Sequence, residues 1–169
     1  FDLSSIPAGA TISDVKLRMV AIADSSGVDF DLEIVKLDWS GQDPLAAGNR
    51  EAAYDANLAA ALDAIWRNTS GMSTNTQYTS PSLDKTRLTP GGAVYYGLRS
   101  AEDANNSAPS ANTAEFIQIG QPDHATAAYR PVLIVNYARG GFFAFFSTLA
   151  ERLLDWLRGL GRRVEPGFA

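Results

Sequence analysis

The 169-residue sequence contains no cysteine and a single histidine, His124. The absence of cysteine excludes disulfide bonds and thiolate metal sites, and one histidine cannot form a histidine-rich metal cluster. No apolar run reaches the length of about 20 residues that a membrane-spanning helix requires. Basic residues are outnumbered, since 14 Lys and Arg stand against 19 Asp and Glu, for a net charge of −5. Because nucleic-acid binding needs clustered Lys and Arg, this balance argues against nucleic acid as a partner.

No catalytic grouping is recognisable in the sequence. His124 lies in the segment QPDHATA, and a serine–histidine–acid arrangement would require a nucleophile and an acid placed around it. Nothing in that segment resembles such a setting, so His124 is interpreted as an exposed loop residue. We therefore predict that the chain is not an enzyme and does not use a cofactor.

Hydrophobic residues make up 46% of the sequence and charged residues 20%, which is typical of a globular domain. Residues 11–22 and 28–39 alternate apolar and polar side chains, the pattern of half-buried strands. In the second segment the alternation slips by one residue at Ile34–Val35, which predicts a β-bulge. A turn at 24–27 separates the segments, and they are predicted to form a hairpin.

The remaining segments indicate more strands and little helix. Residues 50–66 have helical spacing, with a strand as the alternative around Ile65–Trp66. The segment 129–138 is apolar on both faces, which predicts a central strand with Pro131 near its start. Two further strands are predicted at 94–100 and 115–120. Short strands joined by turn-rich links indicate a mainly β protein, an antiparallel β-sandwich over residues 1–138.

Five segments carry a resemblance to a known family: FDLSSIPAGATISDVKLRM, EIVKLDW, LDAIWRNTSG, YYGLRSAED and YRPVLIVNY. In this order they resemble the DNRLRE-type domain, a family of jelly-roll β-sandwiches found in bacterial surface proteins and in virion proteins of bacterial viruses. The resemblance covers residues 1 to about 137. It implies a mostly non-catalytic module with an adhesive, carbohydrate-binding or scaffolding role.

The start of the sequence departs from that family, in which several strands usually precede the segment resembling FDLSSIP. Either the chain is a piece of something longer, or another chain supplies the opening strands by pairing with an open sheet edge. In both cases the residues Phe1-Asp2-Leu3 are predicted to be paired in a sheet, with strands on at least one side supplied by another part of the assembly or by upstream residues.

The composition changes near Ala138. Residues 138–169 carry five Arg against three acids, a net charge of +2, which leaves −7 on residues 1–137. Gly140 and Gly141 are interpreted as a hinge within a separate tail, 139–169. Apolar residues at i, i+3, i+4 spacing predict an amphipathic helix over 142–160. Its apolar stripe comprises Phe142, Phe145, Phe146, Leu149, Leu153, Trp156, Leu157 and Leu160.

The stripe is predicted to be an assembly interface that contacts copies of the chain or neighbouring subunits. The alternatives are packing on the chain's own sandwich and binding to a membrane surface. Glu151 and Asp155, together with the modest basic excess, disfavour the membrane.

Two other sets of residues suggest ligands. Oxygen-bearing side chains in one loop form a weak calcium candidate, with a solvated loop as the alternative: Glu102, Asp103, Asn105 and Asn106. Aromatic side chains stack on sugar rings or fill a core, and the candidates for carbohydrate contact are Trp39, Trp66, Tyr78 and Tyr95.

These observations predict a non-enzymatic structural subunit of an extracellular particle. The first hypothesis is a bacteriophage virion protein, such as a decoration, fibre or tail component. The alternative is a carbohydrate-binding or adhesive module of a bacterial cell-surface protein. A lone sugar-binding module needs a complete sandwich and no apolar tail helix. An assembly subunit, by contrast, benefits from an unpaired sheet edge and an apolar helix that can contact other subunits.

Overall fold

The computed structural model describes residues 1–39, 47–107 and 115–139, and these residues form seven strands in two antiparallel sheets. The strands are β1 (Thr11–Asp24), β2 (Asp31–Val35), β3 (Leu62–Asn68), β4 (Thr76–Thr79), β5 (Gly97–Ser100), β6 (Ile117–Ile119) and β7 (Val132–Ala138). The helices are α1 (Arg50–Ala59) and the single turn α2 (Ala101–Ala104), with 3-10 turns at Ala47–Asn49, Lys85–Arg87 and Ala127–Tyr129. The chain is therefore mainly β, as predicted.

The first sheet is built around β1. Arg18 lies opposite both Thr79 of β4 and Val132 of β7, and Ala21 lies opposite residues of both β4 and β6. A strand residue has two neighbours only across its two edges. It follows that β4 occupies one edge of β1, while β7 and then β6 occupy the other.

The second sheet has β2 at its centre, between β3 and β5. Ile34 pairs with Ala64 of β3, but the next residue, Val35, pairs with Leu62. The predicted irregularity at Ile34–Val35 is therefore confirmed, although the extra residue, Asp63, belongs to β3. The pairing of β2 with β5 stays regular over the same positions.

The two sheets form a sandwich because each strand has one apolar face to bury. The alternating residues of β1 and β2 meet between the sheets, and residues of the N-terminal and 83–94 segments close the core. Each such buried side chain contributes roughly 1.5–3 kcal/mol before entropy is counted. The core comprises Leu3, Ile6, Val15, Leu17, Met19, Phe30, Leu32, Ile34, Trp66, Leu83, Leu88 and Val94.

Helix α1 covers the outer face of the second sheet. Val35 is fully buried although it points away from Ile34, because α1 lies over this side of β2. A Cβ atom added to Gly97 would collide with the side chains of Asn57 and Val35. The chain thus needs a glycine where the helix approaches β5. Both readings of residues 50–66 are confirmed, since the helical pattern forms α1 and the later residues form β3.

The predicted hairpin of the first two strands is wrong. β1 and β2 lie in different sheets, and residues 25–30 carry the chain across the sandwich. Alternation shows which face of a strand is apolar, but it does not show whether that face is buried by a facing sheet or which strand pairs at the edge. Here the apolar faces of β1 and β2 point toward each other between the sheets.

The predicted central position of β7 is also wrong. Within residues 1–39, 47–107 and 115–139, β7 pairs with β1 alone. Leu133 and Val135 pack partly buried against the core, whereas Val132 on the other face is 37% exposed. Apolarity on both faces therefore reflects an edge strand with one exposed apolar side. Pro131 immediately precedes the strand, as predicted.

The N-terminal residues are paired, but by an isolated bridge to the chain's own segment 91–94, and the predicted strand from outside these residues stays a prediction. The amino group of Phe1 donates to the Val94 carbonyl at 2.8 Å, and Val94 N–H donates back to Phe1 at 3.0 Å. Leu3 N–H donates to the Gly92 carbonyl at 2.8 Å. The segment thus forms a short antiparallel ladder at the margin of the sandwich.

Candidate functional site

The residues with potential function line three hollows on the surface of the protein. The aromatic cavity, of about 320 Å³, is lined by Phe1, Leu37, Trp39, Tyr95 and Tyr96. The N-terminal cleft, of about 260 Å³, is lined by Phe1, Asp2, Leu3, Ser5, Ile6, Leu133, Val135 and Tyr137. The inter-sheet cavity, of about 430 Å³, is lined by Phe30, Leu32, Leu98, Arg99, Ser100, Glu102, Asp103, Glu115, Phe116, Ile117 and Ile119.

Arg87 holds the walls of the aromatic cavity together. Its Nη2 donates to the carbonyls of Leu37 at 2.9 Å and Tyr95 at 3.3 Å. Its guanidinium carbon lies 5.2 Å from the ring centroid of Tyr96, within cation–π range. One arginine therefore fixes the backbone on both sides of the cavity and faces one of its aromatic rings.

Tyr96 gives the aromatic cavity a polar group. Burial raises the pKa of this tyrosine to about 12, so the phenol stays protonated at neutral pH. Its hydroxyl and the Nη1 of Arg87 are buried and have no hydrogen-bond partner among the described residues. Buried polar groups are normally hydrogen-bonded.

The four predicted sugar contacts separate into two pairs. Trp39 and Tyr95 lie together in the aromatic cavity. Trp66 is 4% exposed and makes an edge-to-face contact with Tyr78, with ring centroids 6.2 Å apart. The Arg67 guanidinium covers the Tyr78 ring at 4.1 Å. Trp66 and Tyr78 are therefore packing residues, and the ring of Trp66 presents no face to a sugar.

The inter-sheet cavity opens between β5 of one sheet and β6 of the other. Its lining combines apolar side chains with Arg99, Ser100 and the acidic side chains of α2 and of residue 115. Burial and the neighbouring Glu115 carboxyl raise the pKa of Glu102, because two carboxylates in one place repel each other. The neighbouring carboxyls of Glu102 and Glu115 therefore favour a shared proton over two adjacent charges.

The calcium candidates lie beside this same cavity. Ser100 caps α2 by accepting the Asp103 N–H at 3.0 Å, and Asp103, Asn105 and Asn106 are exposed. Among the residues that the structure describes, no group of three or more His, Cys, Asp or Glu side chains is arranged to hold a metal ion. The structure supplies no support for calcium beyond the sequence pattern.

His124 belongs to a loop held by local contacts. Its Nδ1 accepts the Thr126 N–H at 3.0 Å, and its carbonyl accepts Arg130 Nε at 2.8 Å. Its ring lies 4.9 Å from that of Tyr129. His124 is therefore a loop residue, as interpreted, but it is half-buried rather than exposed.

The N-terminal cleft runs between residues 1–6 and the inner face of β7. Hydrogen bonds from the backbone and hydroxyl of Ser4 lower the pKa of Asp2, which remains ionised at the rim. Phe1 and Tyr137 are each 39% exposed. The cleft is thus a groove of mixed polarity beside β7.

Sequence reasoning missed three residues that organise these hollows: Arg87, Arg99 and Glu115. The two arginines act through contacts with segments far away in the sequence, and Glu115 meets Glu102 across a long connection. No local pattern signals such contacts. The predicted assembly stripe at 142–160 lies outside the described residues.

The fold defines the chain as an antiparallel β-sandwich protein. Comparison of the chain with protein-family models, with curated proteins and with solved structures found no match in any of the three. In the described part of the chain, no helix is sufficiently long and apolar to cross a bilayer. Function therefore has to be argued from the surfaces themselves.

Proposed function

We propose that the chain is a non-enzymatic structural subunit of an extracellular assembly, in the first place a bacteriophage virion protein such as a decoration, fibre or tail component. Its partners are copies of itself or other subunits of a large particle. The resemblance to DNRLRE-type domains and the apolar tail both favour this function.

The observation that carries the proposal is the outer edge of β7. This strand, VLIVNYA, has no charged residue and no proline, and across the described residues it pairs with β1 only. Monomeric proteins usually protect such an edge with Lys, Pro or a covering element. Because this edge has no second strand partner among the described residues, it is suited to accept a strand from another subunit, whose alternate side chains would enter the cleft.

The test places a charge on this edge without disturbing the fold. Ile134 lies opposite Lys16 in the ladder, so the substitution Ile134→Glu gains a cross-strand ion pair within the chain. The same carboxylate repels a second apolar or acidic edge. We expect sedimentation velocity over a concentration series to show a shift from assembled species toward the monomer.

Thr79→Glu is the matched control, because Thr79 lies opposite Arg18 on the other edge of β1. It adds the same charge beside a similar cation, and assembly should be unchanged. If both variants sediment like the wild-type chain, the β7 edge is not an assembly surface.

The second candidate function is carbohydrate binding, and the aromatic cavity favours it. Trp39 and Tyr95 offer aromatic surface in this cavity. Aromatic faces suit the apolar face of a sugar ring. Calorimetric titration with a glycan panel should lose its binding signal in Trp39→Ala and Tyr95→Ala. Tyr54→Ala, an exposed aromatic on α1, serves as the control. Equal binding by all variants, or none by the wild type, would remove this candidate.

A further inference from the structure

The backbone groups of β7 point to two different edges, and the contacts of β1 show which residues face each edge. The carbonyl of Leu17 accepts the Ser80 N–H at 2.9 Å, on the β4 side of β1. Successive residues of a strand direct their backbone groups to opposite edges, so Lys16 and its even-numbered neighbours face β7. Lys16 lies opposite Ile134. The residues of β7 that bond to β1 are therefore the even-numbered ones.

A side-chain contact supports this assignment. The hydroxyl of Ser13 donates to the Asn136 carbonyl at 3.0 Å, so the backbone of Asn136 also faces β1. The odd-numbered residues Leu133, Val135 and Tyr137 consequently direct their N–H and C=O groups to the outer edge. In the described part of the chain, no strand pairs with that edge. The edge thus offers alternating donors and acceptors along the length of the strand.

This row of donors and acceptors is complementary to itself. β7 runs from Val132 to Ala138, and Val135 is its central residue. In an antiparallel pair, two opposite residues that face the shared edge exchange both of their backbone hydrogen bonds. A two-fold axis at Val135 therefore pairs this residue with its own copy, and Leu133 with Tyr137 of the second copy. All the outward-facing residues of β7 are then bonded, and the strand is paired over its whole length.

Neighbouring registers of the strand with itself are poorer. An axis one residue earlier places Pro131 opposite Tyr137, and proline has no N–H to donate. An axis one residue later places Leu133 opposite Arg139, which lies beyond the end of β7. The register centred on the strand is therefore the one that its composition favours.

A two-fold contact also requires residues that tolerate their own copies. Like charges that lie directly opposite each other destabilise a pair of strands, and β7 has no charged residue. On the inner face, the axis places Val135 against Val135 and Leu133 against Tyr137. On the outer face, it places Ile134 against Asn136. No charge is opposed or buried, so a second copy of the chain fits this edge.

The same pairing covers the N-terminal cleft. Leu133, Val135 and Tyr137 line this cleft together with residues of the segment 1–6, and Tyr137 is 39% exposed. Opposite residues of paired strands lie on the same face of the sheet, with Cβ atoms about 4.5–5.5 Å apart. The Tyr137 ring of each copy therefore lies beside Leu133 of the other copy, over the other copy's cleft. Pairing covers side-chain surface as well as backbone groups.

We therefore propose that the outer edge of β7 pairs with β7 of a second copy of the chain, antiparallel and with Val135 on the two-fold axis. The inference rests on the proposed assembly function and names the chain itself as the partner. The first sheets of the two copies then form one continuous sheet, in which β7 is a central strand, as apolar residues on both of its faces favour. An isologous contact closes a dimer, so a larger particle needs a further surface.

Cysteine substitutions test the register, because the sequence itself contains no cysteine. Leu133→Cys on one chain lies opposite Tyr137→Cys on another, at a Cα separation of about 5.5 Å that a disulfide accepts. Neither position meets its own copy, since four residues of strand separate them by about 14 Å. We expect a mixture of the two single variants to give a disulfide-linked heterodimer under mild oxidation. Each variant alone should give no linked product on a non-reducing gel.

Val135→Cys and Ile134→Cys form a matched pair, because the two positions are adjacent and both half-buried. Val135→Cys lies on the axis and should form a disulfide with its own copy. Ile134 lies opposite Asn136, so two copies of Ile134→Cys are about 8 Å apart, beyond the range of a disulfide. This variant should stay unlinked. Circular dichroism of each reduced variant checks that it is folded, and either set of variants decides the register by itself.

Sedimentation velocity of the wild type separates this inference from the proposed function. An assembling wild type together with the expected pattern of cross-links supports the register. If the wild type assembles but the mixture gives no heterodimer, or if all variants cross-link equally, β7 does not pair with itself in this register and the assembly function stands. That result includes an edge occupied by another subunit or by residues 108–114 or 140–169 of the same chain. If the wild type is monomeric at every concentration, the proposed function fails and this inference fails with it.

Discussion

Arg99 and Glu33 form an ion pair on the outer face of the second sheet, with Nε of the arginine 2.8 Å from Oε2 of the glutamate. The two side chains are only 11% and 13% exposed. The other end of the guanidinium donates to the carbonyls of Asn57, Leu58 and Ala60, where α1 ends. One side chain therefore joins β5, β2 and α1, and it does so directly beside the inter-sheet cavity.

Removal of this arginine should be strongly destabilising. Arg99→Ala leaves the Glu33 carboxylate buried without its cation and the last carbonyls of α1 without a donor. We expect the free energy of unfolding to fall by about 3–5 kcal/mol, as for other buried pairs broken on one side. Urea denaturation measures the change. Lys16→Ala breaks the exposed Asp14–Lys16 pair and should cost less than about 1 kcal/mol. Equal losses in the two variants would contradict the structural role of Arg99.

A methyl group at position 97 should separate α1 from the second sheet. Gly97→Ala places a Cβ atom against Asn57 and Val35, and we expect a loss of about 1–3 kcal/mol in the free energy of unfolding. Gly48→Ala is the matched control, since nothing lies within 4 Å of a Cβ added there. A Gly97→Ala variant as stable as Gly48→Ala would show that α1 does not pack closely on β5.

Thr69 should stabilise the fold through its hydroxyl rather than its volume. The side chain is 1% exposed, and Oγ1 accepts the Phe30 N–H at 3.0 Å. Thr69→Val keeps the shape but leaves this buried donor unpaired, so a loss of roughly 1–3 kcal/mol is expected from thermal or urea unfolding. Thr69→Ser retains the acceptor and should lose less. The reverse order would indicate that packing dominates at this position.

The stability of the chain should fall at high pH through Tyr96. Burial raises the folded-state pKa of this tyrosine to about 12, from 10.0 when unperturbed. The neutral phenol is thus favoured in the folded chain, and its contribution is complete below about pH 10 and is lost as the pH rises through 12. Urea midpoints between these values should fall more steeply for the wild type than for Tyr96→Phe. Identical pH profiles for the two proteins would show that Tyr96 is not buried.

The sequence by itself determined the fold class, because period-two alternation in β1 and β2 and the turn-rich links report local chemistry. It located α1 and β3 within one ambiguous segment, since helical spacing and β-branched or aromatic residues follow one another there. It indicated an irregularity at Ile34–Val35, but not that the extra residue belongs to β3 or that Val35 is buried by α1 on the other face of β2. It indicated that Phe1–Leu3 are paired, but not that segment 91–94 of the same chain is the partner.

Only the tertiary structure decided which strands are neighbours. Alternation in β1 and β2 is the same whether the two strands pair as a hairpin or face each other across a core, so the hairpin prediction was wrong. Likewise, Val132–Val135 reads as a central strand, although its apolar outer side is partly exposed at a sheet edge. Trp66 and Tyr95 are equally aromatic in the sequence, but packing buries one and places the other in a cavity. The roles of Arg87 and Arg99 depend on contacts between segments distant in the chain, and such contacts exist only once the sheets have packed.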